Sequence, residues 1–466
     1  MWQVLNVFDR HRAYADLHSG HLVIWNYPPL YLVTVHLLHN LTSDLLWSGR
    51  FISWISALGV AAILCSILYR AFPARWGPAP RLAAAATGLL FLCAEIVLHW
   101  MSFMRVDFLG LLATYLGLFS FLTSATRPWK QYLAFFFFFL AICTKQTFLA
   151  APFVCLVLLF FLAPRRALRI CSLCAAAGLF LFLLGQKWTA GGLALHLFLY
   201  NVHPFSLTRA LSGLADNLFA LRLVVAFSAA LLLAILMRPR HSRKPWHAAR
   251  WNARLHHNPY FLTLVVESLH FISALLISFT YGKTGSNVNY FLEWTAAAVV
   301  LCGCVVGLFF REAQRVPRLS LPTTAAVLFS LLLAFQMAKT SIAALTPREQ
   351  LRLDFASERL AYSQILPLLH NAKDPVLSED MVLLALAGKD LVFEPATMKF
   401  LNDAGTWDPS AFRRRIAAKE FSLIVTTYLE YWPPEVLTDI HHSYQLEFAT
   451  GRYQLYRPRE DSSLAP

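Results

Sequence analysis

Residues 104–122 read MRVDFLGLLATYLGLFSFL. Behind Arg105 and Asp107 the run is apolar to Leu122, close to the roughly 20 residues that a helix needs to cross a hydrocarbon core about 30 Å thick. The two charges stand together at its head. A carboxylate there meets the positive end of the helix dipole, and a guanidinium can reach the interface.

Working outward, runs of this kind recur at roughly 51–72, 82–100, 130–144, 146–163, 168–187, 217–237, 258–281, 290–310 and 319–338, which predicts a polytopic membrane helical bundle that crosses the bilayer about ten times. Composition agrees: of 466 residues, 58% are hydrophobic and only 14% charged, far from the mix of a soluble domain. The net charge of +14 is no sign of nucleic acid. The basic residues gather in short stretches between apolar runs, as orientation signals do. All eight cysteines lie inside apolar runs and read as small buried hydrophobes rather than disulfides or metal ligands.

Lys and Arg also set the orientation. Arg70, Arg75 and Arg81; Arg127 and Lys130; Arg165, Arg166 and Arg169; Arg238 to Arg254; and Arg311, Arg315 and Arg318 occupy one alternating set of loops, expected in the cytoplasm. The other set faces outward: 101–106, Lys145, 188–216, 282–290 and everything after about 340. The expected division is thus an outer segment 1–50 with a short interfacial helix after Pro28-Pro29, a transmembrane bundle 51–340, and a small soluble α/β domain 341–466 outside the cytoplasm. In the last part, helix-like 347–370 and 409–419 alternate with strand-like Val376-Leu377, Leu391-Val392-Phe393, Phe421 to Thr427 and Tyr453 to Tyr456. Since residues 1–50 are placed outside with nothing ahead to carry them across, the chain is expected to lack an initial spanning helix.

Charges next to a bilayer are costly and mark pathways or catalysis. On the outer side these are Arg50, Glu95, Arg105, Asp107, Lys145, Lys283 and Glu293, with Glu267 deeper. Tyr281 to Tyr290 is a Gly-rich turn whose hydroxyls, amides and Lys could hold a phosphate or a sugar. It lacks the spacing of a nucleotide-binding loop. Thr144-Lys145-Gln146-Thr147 breaks two apolar runs, and Asn201-Val-His-Pro-Phe205 lies in the long outer loop.

Taken together, Asn26-Tyr-Pro-Pro-Leu-Tyr31, Gly49-Arg50, Arg105-Val-Asp107, Thr144 to Thr147, Asn201 to Phe205, Gly282 to Asn287, Asn289-Tyr-Phe-Leu-Glu293, Leu377-Ser-Glu-Asp380 and Gly388-Lys389 resemble, in order and over nearly the whole chain, the bacterial multi-spanning glycosyltransferases of the GT-C fold. The nearest in pattern are those related to protein O-mannosyltransferases and the lipid A aminoarabinose transferase. The resemblance implies an inner-membrane enzyme that moves a sugar from a polyprenyl-phosphate donor to an acceptor on the periplasmic face. It gives Asp107 the role of an acidic residue that orients the acceptor or binds a metal, so a divalent metal stays open as cofactor. Arg105, Lys145 and Lys283 become candidates for the donor phosphate, where cations can stabilise the leaving group. Tyr27, Tyr31, Arg50, Asn201, Ser286, Asn287, Asn289, Tyr290 and Glu293 become candidates for substrate contact. One departure matters: the family's first acidic residue, expected ahead of the stretch Trp2 to Tyr14, has no counterpart, and Asp9 and Asp16 do not fall in its place. That departure leaves a catalytically dead homologue open, and a lipid-sugar transporter or flippase, which would also need intramembrane charges and many helices, is the other alternative.

Overall fold

The computed structural model describes residues 1–17, 20–125, 127–222, 224, 255, 257–313, 321–346 and 349–460. It divides into two compact units. One comprises Tyr27–Phe180 and His203–Thr346, the other Met1–Asn26, Leu181–Val202 and Pro347–Pro466.

The first unit is a helical bundle, and nine of the ten apolar runs fall on its helices or on Pro164–Trp188, which crosses the division: Leu45–Ala71, Pro78–Leu92 with Glu95–Trp100, Asp107–Leu122, Trp129–Thr144, Ala150–Leu162, Pro164–Trp188, Pro259–Ser278, Leu292–Ala313 and Leu321–Leu345. The run at 217–237 begins in helix Leu207–Ala220 and otherwise lies outside the described residues, apart from positions 221, 222 and 224. So do all the basic residues from 238 to 254, and Arg315 and Arg318. Four segments among the described residues are long and apolar enough to cross a bilayer: Leu45–Ala71, Pro164–Trp188, Pro259–Gly282 and Val288–Arg311. Others are shorter. The 16 residues of Asp107–Leu122 rise only about 24 Å.

Sequence patterning and structure differ in the second run. The predicted span 82–100 is two helices, because Ala94 is extended (φ −69°, ψ 131°) between Pro78–Leu92 and Glu95–Trp100. Apolar composition cannot register such a break, since every residue from Leu89 to Ala94 suits either conformation. Helix Leu45–Ala71 begins earlier than position 51, where the Asp44 side chain accepts from the Trp47 amide and satisfies a terminal donor.

Helix Leu292–Ala313 is the centre of the bundle. It packs on Pro78–Leu92, Pro259–Ser278 and Leu321–Leu345, and Ala296 to Leu301 are at most 1% exposed. Helix Pro164–Trp188 is the opposite case, with Leu173, Phe180 and Leu183 each more than half exposed. An apolar face of that size is stable only against lipid or a partner.

In the second unit a four-stranded sheet runs in the order β1 (Val376–Ser378), β2 (Leu423–Thr426), β4 (Tyr453–Pro458), β3 (Tyr444–Thr450). The first pair is parallel and the other two antiparallel. β1 and β2 are buried along their whole length, which explains why they are apolar up to the closing Ser378 and Thr426. The strand expected at Leu391 to Phe393 is instead a single parallel bridge between Phe393 and Leu22. The helix that starts at Pro395 ends it. Strand β3 and helix Pro434–Ser443 were not read from sequence.

The amino-terminal residues belong with this sheet. The Leu22 amide donates to the Val392 carbonyl, the Trp2 indole donates to Asp390, and Arg12 pairs with Asp390 at 3.0 Å. Buried His196 accepts from the Trp25 amide at Nδ1, so its Nε2 carries the proton and donates to the Ala15 carbonyl at 2.8 Å. Burial lowers the pKa of that ring. The sequence division at 50 and 340 therefore runs differently from the compact units, because these ties join residues from 171 to 388 positions apart.

Candidate active site

Asp107 is the first residue of helix Asp107–Leu122 and is 1% exposed. Its carboxylate collects three donors from three other parts of the bundle. The Lys145 ammonium and the Asn289 amide both reach Oδ1 at 2.8 Å, and the Trp100 indole reaches Oδ2 at 2.8 Å. The break at Ala94 puts Trp100 on its own short helix. Lys145 follows helix Trp129–Thr144 directly, in extended conformation. Asn289 sits in a 3-10 turn, Val288–Phe291, that leads into helix Leu292–Ala313.

Lys145 is buried. It is 2% exposed, with its ammonium 4.2 Å from the centroid of the Tyr290 ring and 5.8 Å from that of Tyr27, within cation–π range of both. Arg105 is exposed and its guanidinium lies 5.9 Å from the Trp100 ring centroid. The aromatic rings thus collect around the two cations.

Close by, Tyr31 and Ser53 share the Gly49 carbonyl at 3.4 and 3.2 Å, and the Ser53 hydroxyl also reaches the Arg105 carbonyl. A Cβ at Gly49 would collide with the Met104 side chain, so this backbone contact requires glycine. Arg50, the next residue, is exposed.

The Gly-rich turn separates into parts with different duties. Asn287 caps the Val288 amide at 2.8 Å, and the Ser286 hydroxyl returns to the Thr280 carbonyl. Asn289 and Tyr290 reach the Asp107–Lys145 pair. Glu293 turns elsewhere, to His270 Nε2 at 3.0 Å. Lys283 lies where 282–284 runs beside 204–206: Ser206 donates to Gly282, Thr284 donates to Pro204, and Phe205 and Lys283 form an antiparallel bridge. Burial lowers the Lys283 pKa, and burial together with the Lys283 charge lowers that of His203. Asn201 belongs to the other unit, where its amide reaches the Asn26 carbonyl at 3.4 Å.

Sequence reading missed Trp100 and His270. An indole and an imidazole inside apolar runs carry no signal until their partners are known.

A carboxylate has about four acceptor positions, and Asp107 has given three. It is a poor base in this state, because each donor favours the ionised form. Among the described residues no group of three or more His, Cys, Asp or Glu side chains comes together as a metal-binding cluster.

A polytopic bundle with this site at the head of its helices, joined to a small α/β unit, has the GT-C fold. Among solved structures, ArnT from Cupriavidus metallidurans bound to undecaprenyl phosphate matches with a TM-score of 0.58 at 16% identity, covering 96% of this chain and 90% of that one. The apo form of the same protein gives 0.57 at 15% identity, covering 94% and 88%. ArnT is a lipid A aminoarabinose transferase. No protein-family profile and no curated protein sequence matches the chain.

Proposed function

We propose that this chain is a multi-pass inner-membrane glycosyltransferase that takes its sugar from a polyprenyl-phosphate donor and passes it to an acceptor on the periplasmic face. The observation that carries the reading is the buried Asp107–Lys145 pair, fastened by Trp100 and Asn289 in a fold shared with a protein solved with undecaprenyl phosphate.

When a sugar leaves a lipid phosphate, negative charge grows on the phosphate oxygens. Fixed cations in an apolar surround stabilise that charge strongly, with no reorganisation at the moment of reaction. Lys145 supplies a fixed ammonium and exposed Arg105 a guanidinium; Lys283, set beside 204–206, is the third candidate. Asp107 holds Lys145 in place, and the acceptor position left on Oδ2 is available to orient a hydroxyl. Tyr27, Tyr290 and Tyr31 offer ring faces and hydroxyls for the sugar.

The test is transfer itself. The full chain, reconstituted in lipid nanodiscs, is given radiolabelled sugars on undecaprenyl phosphate together with membrane extracts as acceptor. Label should move from lipid to acceptor, and Asp107→Asn or Lys145→Met should stop it. Exchange of the intact labelled lipid between leaflets without cleavage would replace the reading with a flippase. Failure with every donor, while the chain still binds undecaprenyl phosphate, would replace it with an inactive homologue.

A further inference from the structure

Behind Asp107 lies a second buried polar group. Glu267 and His270, one turn apart on helix Pro259–Ser278, are 0% exposed, and Glu293 is 6% exposed. His270 Nδ1 lies 3.2 Å from Glu267 Oε2, and Nε2 lies 3.0 Å from Glu293 Oε1. Each ring nitrogen faces a carboxylate oxygen, and an ionised carboxylate only accepts, so with both glutamates ionised the ring donates from both nitrogens as an imidazolium. The other titratable groups that face this set are Tyr115 on helix Asp107–Leu122, whose ring meets that of His270 edge-on at 5.9 Å, and Cys155 on helix Ala150–Leu162 and Cys304 on helix Leu292–Ala313, which face Glu267. Neutral phenol and thiols bring no charge, so an imidazolium here offsets one of the two glutamate charges while it holds both carboxylates.

The position of Glu293 gives this arrangement its consequence. It stands in the first turn of helix Leu292–Ala313, four residues after Asn289, where the 3-10 turn becomes helix. Fixing Glu293 fixes the rotation of that junction, and the rotation decides where the Asn289 amide points. The side chain of Asn289 then meets Asp107 at 2.8 Å. Removing one member of a buried charged set leaves an uncompensated charge, which is strongly destabilising, so the junction is held firmly.

We propose that His270 is a positioning residue of the Asp107 site: as an imidazolium it clamps Glu293 to helix Pro259–Ser278 and so keeps Asn289 donating to Asp107. Its effect on turnover rests on the transferase reading; the clamp itself does not.

The experiment uses the full chain in nanodiscs, with 15N-histidine and 15N-asparagine labels, in wild type, His270→Gln, His270→Leu, Glu293→Gln and Glu293→Leu. The His270 signals, assigned by their loss in His270→Gln, should show both ring nitrogens protonated at neutral pH. The Asn289 side-chain amide, assigned through Asn289→Ala, should move in the two leucine variants and in His270→Gln. Glu293→Gln keeps an acceptor oxygen for the ring and should restore most of the wild-type Asn289 signal. Affinity for undecaprenyl phosphate should stay unchanged while turnover falls by about 100-fold in His270→Gln, the scale of loss expected when a reacting group is misplaced. A His270 ring with one bare nitrogen, an Asn289 signal that ignores the variants, or turnover that is unchanged while the signal moves overturns the proposal. A clamp signature in a chain that transfers no sugar supports the clamp and removes the transferase reading. If His270→Leu does not fold, His270→Gln and the two Glu293 variants carry the same comparison.

Discussion

The Lys145 ammonium donates to the Asp107 carboxylate across 2.8 Å, and both side chains are 2% exposed. Neither charge is stable there alone. Breaking such a pair from one side costs about 3–5 kcal/mol, whereas removing both charges together costs far less. Lys145→Met should therefore lower the unfolding temperature of the detergent-solubilised chain markedly. The double variant Asp107→Asn with Lys145→Met should recover much of that loss and still fail to transfer sugar. A double variant less stable than both single ones would contradict the pairing.

Asn289 offers a sharper test of what Asp107 needs. Asn289→Ala removes one donor from the carboxylate, a loss of about 1.5–3 kcal/mol for a hydrogen bond to a charged group. Asn289→Asp puts a second carboxylate against the first, where like charges repel in an apolar surround. The aspartate variant should be the less stable of the two and the less active, measured by thermal unfolding and by transfer rate. Equal behaviour would mean that Asn289 does not touch Asp107.

Gly49→Ala should destabilise by about 1–3 kcal/mol, as overpacking does, since the added methyl meets the Met104 side chain. Shortening that side chain should relieve the strain, so Gly49→Ala with Met104→Ala is expected to be more stable than the sum of the two single changes. Additive losses, read from thermal unfolding of all four chains, would place the collision elsewhere.

In the sheet-containing unit, the Tyr362 and Tyr453 hydroxyls both donate to Asp380 Oδ2 at 2.8 Å, while Oδ1 caps the Val382 and Leu383 amides. Burial pushes the Tyr453 phenol up to about 12, above its ordinary value of about 10. The folded state therefore holds this proton more tightly than the unfolded chain. Its contribution is complete below pH 10 and disappears as pH rises from 10 to 12. Tyr453→Phe should be less stable than wild type at neutral pH, and the gap should close over that alkaline interval. A gap that stays constant would detach Tyr453 from the titration.

Much of the bundle was legible because hydrophobic length is a local property. Runs near 104–122, 258–281 and 290–310 each became a helix within about three residues of either end. Ala94 was not legible, since nothing in an apolar run marks the one residue whose backbone leaves the helix. The charged residues of the site were visible one at a time, while their pairing was not: Asp107, Lys145 and Asn289 come from three separate parts of the chain, so the sequence offered Lys145 as a candidate for a phosphate without showing the carboxylate that holds it. Glu293 stood in the motif with Asn289 yet turns to His270, because adjacent turns of a helix start face different neighbours. The amino-terminal pairing of Leu22 with Val392 was hidden for the same reason of distance.

Asp107 and Asn289 are 182 positions apart, and that separation sets an order of events during synthesis. A ribosome delivers the carboxylate first, then Lys145, and only much later the amide that completes the cradle. Until then the newborn chain holds a half-dressed acid, and the centre closes only once the later helices have been laid in beside the early ones.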